Sequence, residues 1–157
     1  MRVLISIGLA LMSAFTWADV SFDNAFIRAM PPGQPNTAAY FTIVNHSNAP
    51  LVLTSALSDV AATVEYHQHL KKEGGVMAMR KVETITVPSH GSFDFKPGGY
   101  HVMFMGLTST LKGGDTVTLI LKDQNNQTYP VSLVAKAPGE LPQQDHHEHH
   151  HHHHHQE

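Results

Sequence analysis

Residues 67–105 read HQHLKKEGGVMAMRKVETITVPSHGSFDFKPGGYHVMFM, and the spacing inside this stretch decides how the chain folds. His67 and His69, Met77 and Met79, and then His101, Met103 and Met105 stand two residues apart. Side chains on a β-strand alternate between faces, so residues i and i+2 point the same way. Three strands here would each aim their His or Met residues at one face. The interleaved Val102 and Phe104 are apolar and suit a core on the opposite face.

Working outward, the same alternation recurs in short segments divided by Gly, Pro and Asn turns. Strands are expected at Val20–Met30, Thr37–His46, Leu51–Leu57, Val60–His69, Val76–Val82, Ser92–Phe95, Tyr100–Leu107, Thr116–Lys122 and Thr128–Lys136. Pro31-Pro32-Gly33 closes the first. The second and third are expected to form a hairpin across the turn at Asn45–Asn48, and the fourth and fifth another across Lys71–Gly75. A helical turn within Ser55–Ala62 is the one competing local pattern. Nine short strands without a long helix indicate an antiparallel sandwich or barrel.

The length of 157 residues suggests a single domain. The opening MRVLISIGLALMSAFTWA has a basic start, an apolar run and Ala18 before Asp19, which fits a signal peptide at residues 1–18 cleaved after Ala18. A membrane anchor is the alternative, but the apolar run is short for a span of about 20 residues. Residues 19–137 then form the β domain. From Pro138 the pattern stops, and residues 138–157 end in DHHEHHHHHHHQE, a His-rich tail that cannot build a core and is expected to be disordered. The irregular tail beside an intact export signal favours a native extension over an expression tag. The chain has no cysteine, which excludes disulfides, thiolate nucleophiles and blue-copper centres. A formal net charge of −3 and no basic patch argue against nucleic acid.

The paired residues have a specific chemistry. Thioether sulfur is a soft ligand that selects Cu(I), and imidazole binds copper readily. Neither Met nor neutral imidazole offers the thiol that an oxidising compartment would convert to a disulfide. Packing is the competing explanation, because Met is a common core gap-filler. Yet four of the five methionines after residue 18 fall in i,i+2 pairs on segments that carry or adjoin paired histidines. The lone Met30 and the turn residues His46 and His90 are expected to be packing or solvated loop positions.

His67, Met79 after eleven intervening residues, and then His101-x-Met103 resemble the pattern H(M)x10Mx21HxM of the periplasmic copper chaperones called PCu(A)C. The segments PPGQPNTAAYFTIVN (31–45), GGVMAMRKVE (74–83) and KPGGYHVMFMGL (96–107) are similar to that family as well. Gln68 stands where the family's optional Met would be. The resemblance implies a cupredoxin-like β-barrel holding Cu(I) through His67, Met79, His101 and Met103. It leaves His69, Met77 and Met105 as further residues on the same predicted faces.

It further implies a periplasmic carrier rather than an enzyme, and a monomer is expected. Its partner would be a copper acceptor protein, an oxidase subunit with a dinuclear copper centre or another chaperone. No membrane span is expected after cleavage. The tail is expected to collect Cu(II). Sequestration for copper resistance and a copper-dependent oxidoreductase are the alternatives, the second weakened because Asp19 rather than His would begin the mature chain.

Overall fold

The computed structural model describes residues 19–71 and 73–141. The expected signal peptide and most of the expected tail lie outside the described residues. Ten strands follow in order: β1 (Val20–Arg28), β2 (Asn36–Asn45), β3 (Leu51–Leu57), β4 (Ala61–Lys71), β5 (Met77–Val82), β6 (Ile85–Val87), β7 (Gly91–Phe95), β8 (Tyr100–Leu107), β9 (Thr116–Asp123) and β10 (Thr128–Lys136). They pair in the order β5-β4-β8-β2-β1-β10-β9-β3-β6, with β7 also on β2.

The sheet wraps around one interior, forming the expected all-β barrel. Ile27, Phe41, Leu53, Tyr66, Phe95, Phe104, Leu119 and Leu133, from eight different strands, belong to a single buried cluster. β9 and β10 show how alternation builds that wall: Val117, Leu119 and Leu121 face Val131, Leu133 and Ala135 inward, while Thr116, Thr118, Ser132 and Val134 point out. The Tyr66 hydroxyl of β4 donates to the Ser55 carbonyl of β3 at 2.9 Å, linking two strands that are far apart in the pairing order.

Several expectations change. β2 and β3 do not form a hairpin; β3 pairs instead with β6 and β9. The loop between β2 and β3 is held by the buried Asn45, whose amide donates to the carbonyls of Ala49 and Pro88. That anchoring sends β3 away from its predecessor. β6 was too short to announce itself in the sequence. Ser55–Leu57 is strand and Val60 turn, so no helical turn forms there. All pairings are antiparallel except β1 with β10, which is parallel. Pro138–Glu140 forms a 3-10 turn, and the Glu140 carboxylate accepts the Ala137 N–H at 2.8 Å. The described residues therefore include this turn and end at Leu141.

One irregularity positions the candidate site. The β1–β2 register shifts between Asp23 and Phe26, where Asn24 takes a positive φ of 53°. A bulge of this kind inserts a residue and reverses which side chains face inward. Phe22 before the bulge packs on the core; after it Ile27 does so, and Phe26 turns to the outer face. There Phe26 joins Ala38 and Tyr40 of β2 in a second apolar cluster, with Met103 and Leu141 packed against it.

Candidate metal centre

The β5-β4-β8-β2 part of the sheet sets out the paired His and Met residues in a grid. His69 of β4 lies opposite Met79 of β5. His67 of β4 lies opposite His101 of β8, and Met103 is flanked by Glu65 on β4 and Ala38 on β2. Directly opposed residues in an antiparallel pair share a face. The register alone thus brings His67, His69, Met79, His101 and Met103 to one side of the sheet, opposite the core-facing Val102 and Phe104.

A hollow of about 200 Å³ opens on that face. Its lining includes His69, Met79, His101 and Met103, together with Met30 and Tyr40. Three of the four sequence-predicted ligands therefore come together there. His67 does not line the hollow, although its ring centroid lies 5.9 Å from that of His101. Met77 and Met105 stay outside it, Met77 on the exposed edge strand and Met105 opposite Thr63. His46 and His90 bond to Ser21 and Asn48 in loops at the other end of the barrel, as loop residues were expected to. Met30, expected to be a packing or loop position, lines the hollow, as does Tyr40, which the sequence did not single out. Tyr40 shares the outward parity of Ala38, so its direction was available; Met30 arrives only through the turn after β1.

The protonation pattern of the imidazoles follows from their partners. His101 is 1% exposed, and its Nδ1–H donates to the Gly99 carbonyl at 3.3 Å, leaving Nε2 as a buried lone pair without a partner. Burial pushes its pKa below the ordinary histidine value, offset by the Gly99 carbonyl and reinforced by His69 and His67. His67 Nε2 lies 2.9 Å from Glu65 Oε2, so the N–H sits there and Nδ1 is left buried and unpartnered. Lys81 holds the other Glu65 oxygen at 3.0 Å. Hydrogen bonds from His67 and then Lys81 keep the Glu65 carboxyl below its usual range. His69 Nδ1 is likewise buried without a partner.

Buried polar atoms without partners are uncommon, because each forfeits its hydration. Three of them stand on the adjacent strands β4 and β8, all imidazole nitrogens, and on His67 and His101 the orphaned atom is a lone pair with no proton to accept. Among the described residues no three His, Asp or Glu side chains are grouped to hold a metal ion by themselves. A larger hollow of about 530 Å³ lies at the far end of the barrel, near Asp19, Asn45, Asp123 and Tyr129. Asn45 and Asp123 are already committed to turn hydrogen bonds there, and it contains no His or Met.

A family model described as "Putative lipoprotein LpqE-like" matches residues 20–135. The chain belongs to the LpqE-like family. Two curated relatives are a protein of Leifsonia xyli named "Putative lipoprotein Lxx21020", 26% identical over 117 residues (74% of this chain, 69% of the relative), and protein RP573 of Rickettsia prowazekii, 30% identical over 106 residues (66% and 58%). Among solved structures, the Cu(I) form of DR1885 from Deinococcus radiodurans is 32% identical, with a TM-score of 0.61 over 80% of this chain and 83% of that one. The copper-bound PCuAC domain of PmoF2 has a TM-score of 0.64 at 18% identity, covering 79% of this chain and 97% of that domain. The resemblance to PCu(A)C proteins and the cupredoxin-like barrel are both borne out.

Proposed function

We propose that this protein is an exported copper carrier, which takes up Cu(I) in the periplasm and passes it to an acceptor protein without chemical turnover. The observation that carries this is the convergence of His101, Met79 and Met103 on one hollow, with the buried Nε2 of His101 free of any hydrogen bond. The copper-bound neighbours support the cargo, and the lipoprotein names of the family and of one relative support the export. Among the described residues no helix is long and apolar enough to cross a membrane.

The proposed ligands are His67, Met79, His101 and Met103. His101 forms the fixed end of the site, since it is fully buried. Met79 is 48% exposed on the edge strand β5 and forms the yielding end. Thioethers bind Cu(I) without losing a proton, so an acceptor can displace them one at a time. A dinuclear copper centre of a respiratory oxidase is the proposed acceptor, and Cu(II) capture the proposed role of the tail. Retention of copper for resistance differs only in lacking an acceptor.

The test is anaerobic Cu(I) titration of a protein ending at Leu141. One equivalent should bind tightly, and His101→Ala and Met103→Leu should each weaken binding by at least tenfold. Unchanged affinity in both variants would remove the site. Oxygen consumption with a reductant would instead favour an oxidoreductase.

A further inference from the structure

We propose that His69 is a direct copper ligand, so that the imidazole reaching the metal from β4 first is His69 rather than the motif histidine His67. This rests on the copper-carrier reading above. Four observations lead to it. His69 lines the hollow shared by Met79, His101 and Met103, and His67 does not. The ring centroids of His69 and His101 are 4.7 Å apart, against 5.9 Å for His67 and His101. His69 is the cross-strand partner of Met79, so an imidazole and a thioether already stand side by side across the β4–β5 pair. Finally, His69 Nδ1 and His101 Nε2 are both buried without hydrogen-bond partners, as His67 Nδ1 is too, but the His67 ring is held at its other nitrogen by Glu65.

His67 is differently placed. Its Nε2–H is engaged by Glu65, which Lys81 grips from the other side. That chain of contacts holds the His67 ring beside the hollow rather than in it. The backbone helps His69 in turn: its N–H donates to the Gly99 carbonyl at 3.1 Å, the same oxygen that accepts from His101 Nδ1. One carbonyl thus sets the strand position of His69 and the tautomer of His101. A metal entering past the exposed Met79 meets His69 and His101 before it meets His67. His67 then serves as an imidazole in reserve, able to join through its unpartnered Nδ1 once its ring swings toward the hollow, which gives the site three nitrogens and two sulfurs from which to choose. Imidazole is the better ligand for Cu(II) and thioether for Cu(I), so such a set tolerates either oxidation state of the cargo.

The test uses the full chain with labelled histidine rings and methionine methyls, followed by NMR before and after one equivalent of Cu(I) without oxygen. The His69 ring nitrogens should shift together with those of His101 and with the Met79 and Met103 methyls. In competition with a chromogenic Cu(I) chelator, His69→Ala should raise the Kd at least tenfold, more than His67→Ala does. An unmoved His69 ring, or a His69→Ala Kd within twofold of the parent, overturns the inference. Should His69→Ala disturb the amide spectrum, the ring shifts of the parent protein decide alone. If His101 and Met103 also fail to respond, the copper reading itself has failed; if they respond and His69 does not, only this inference has.

Discussion

His101 has one ring nitrogen on the Gly99 carbonyl and the other on nothing, at 1% exposure. A buried polar atom left unsatisfied costs about 1–3 kcal/mol, so the apo fold carries a penalty at the position proposed to hold the cargo. The same group cannot be both the best packing choice and a waiting ligand. His101→Leu removes the orphaned nitrogen and fills similar space, and the Gly99 carbonyl keeps its bond from the His69 N–H. We expect the metal-free variant to unfold in urea within about 1 kcal/mol of the parent or above it, while Cu(I) binding is lost. A large fall in the urea midpoint would mean that His101 is there for structure. Tyr40, which lines the hollow, has its ring centroid 6.4 Å away and packs against Phe26 at 5.3 Å. That contact exists because the bulge at Asn24 turned Phe26 outward.

At the scale of elements, the β4–β8 pairing is what fixes the grid of proposed ligands, and Gly106 is a point of close approach within it. Gly106 has a φ of 66°, and a Cβ placed there would lie 3.0 Å from the Ala62 Cβ. A non-glycine residue in this left-handed region costs about 1–2 kcal/mol before any clash. Gly106→Ala should therefore destabilise the protein by roughly 1–3 kcal/mol in chemical denaturation; an unchanged midpoint would show that the β4–β8 register can relax. Alternation made most of these strands legible in the sequence, since each carries its own two-residue period. β3 and β8 begin and end where the pattern said, and β4 and β5 form the expected hairpin. Pairing partners that come from distant sequence were not legible, which is why β2 and β3 were expected together and lie apart. The shared face of the paired His and Met residues was legible for the same reason as the strands: parity is local. Which of His67 and His69 reaches the hollow was not, because both share that parity and the difference is made by Glu65, a neighbour whose role only the rotamers reveal.

At the scale of the whole molecule, the barrel has one interior and two ends with different chemistry. One end carries the imidazoles and thioethers; the other is tied by Asp123, whose carboxylate accepts the N–H groups of Asn125 and Gln127 and the Tyr129 hydroxyl. The parallel β1–β10 pair joins the first strand to the last and could not be read from alternation, which is blind to strand direction. Closure of the barrel also leaves a mark that titration can read. Tyr66 is buried in the core with its hydroxyl on the Ser55 carbonyl, and burial pushes its pKa well above the ordinary tyrosine value. Tyr129 is raised as well, by burial and then by the neighbouring Asp123 carboxylate. A folded-state pKa above the unfolded value means that the native chain holds protons which the unfolded chain gives up as pH passes about 10. The contribution to stability is complete below that pH and is lost as pH rises toward the folded values. The urea midpoint should accordingly be flat from pH 8 to 9 and fall above pH 10. Absorbance near 295 nm should show Tyr66 ionising only with unfolding, as its phenolate has no place in the apolar interior. Tyr66→Phe should cost about 1 kcal/mol at neutral pH through the lost bond to Ser55, and its stability should depend less on alkaline pH than that of the parent. If Tyr66 titrated normally while the fold stayed intact, β3 and β4 would not be closed against each other as the structure has them.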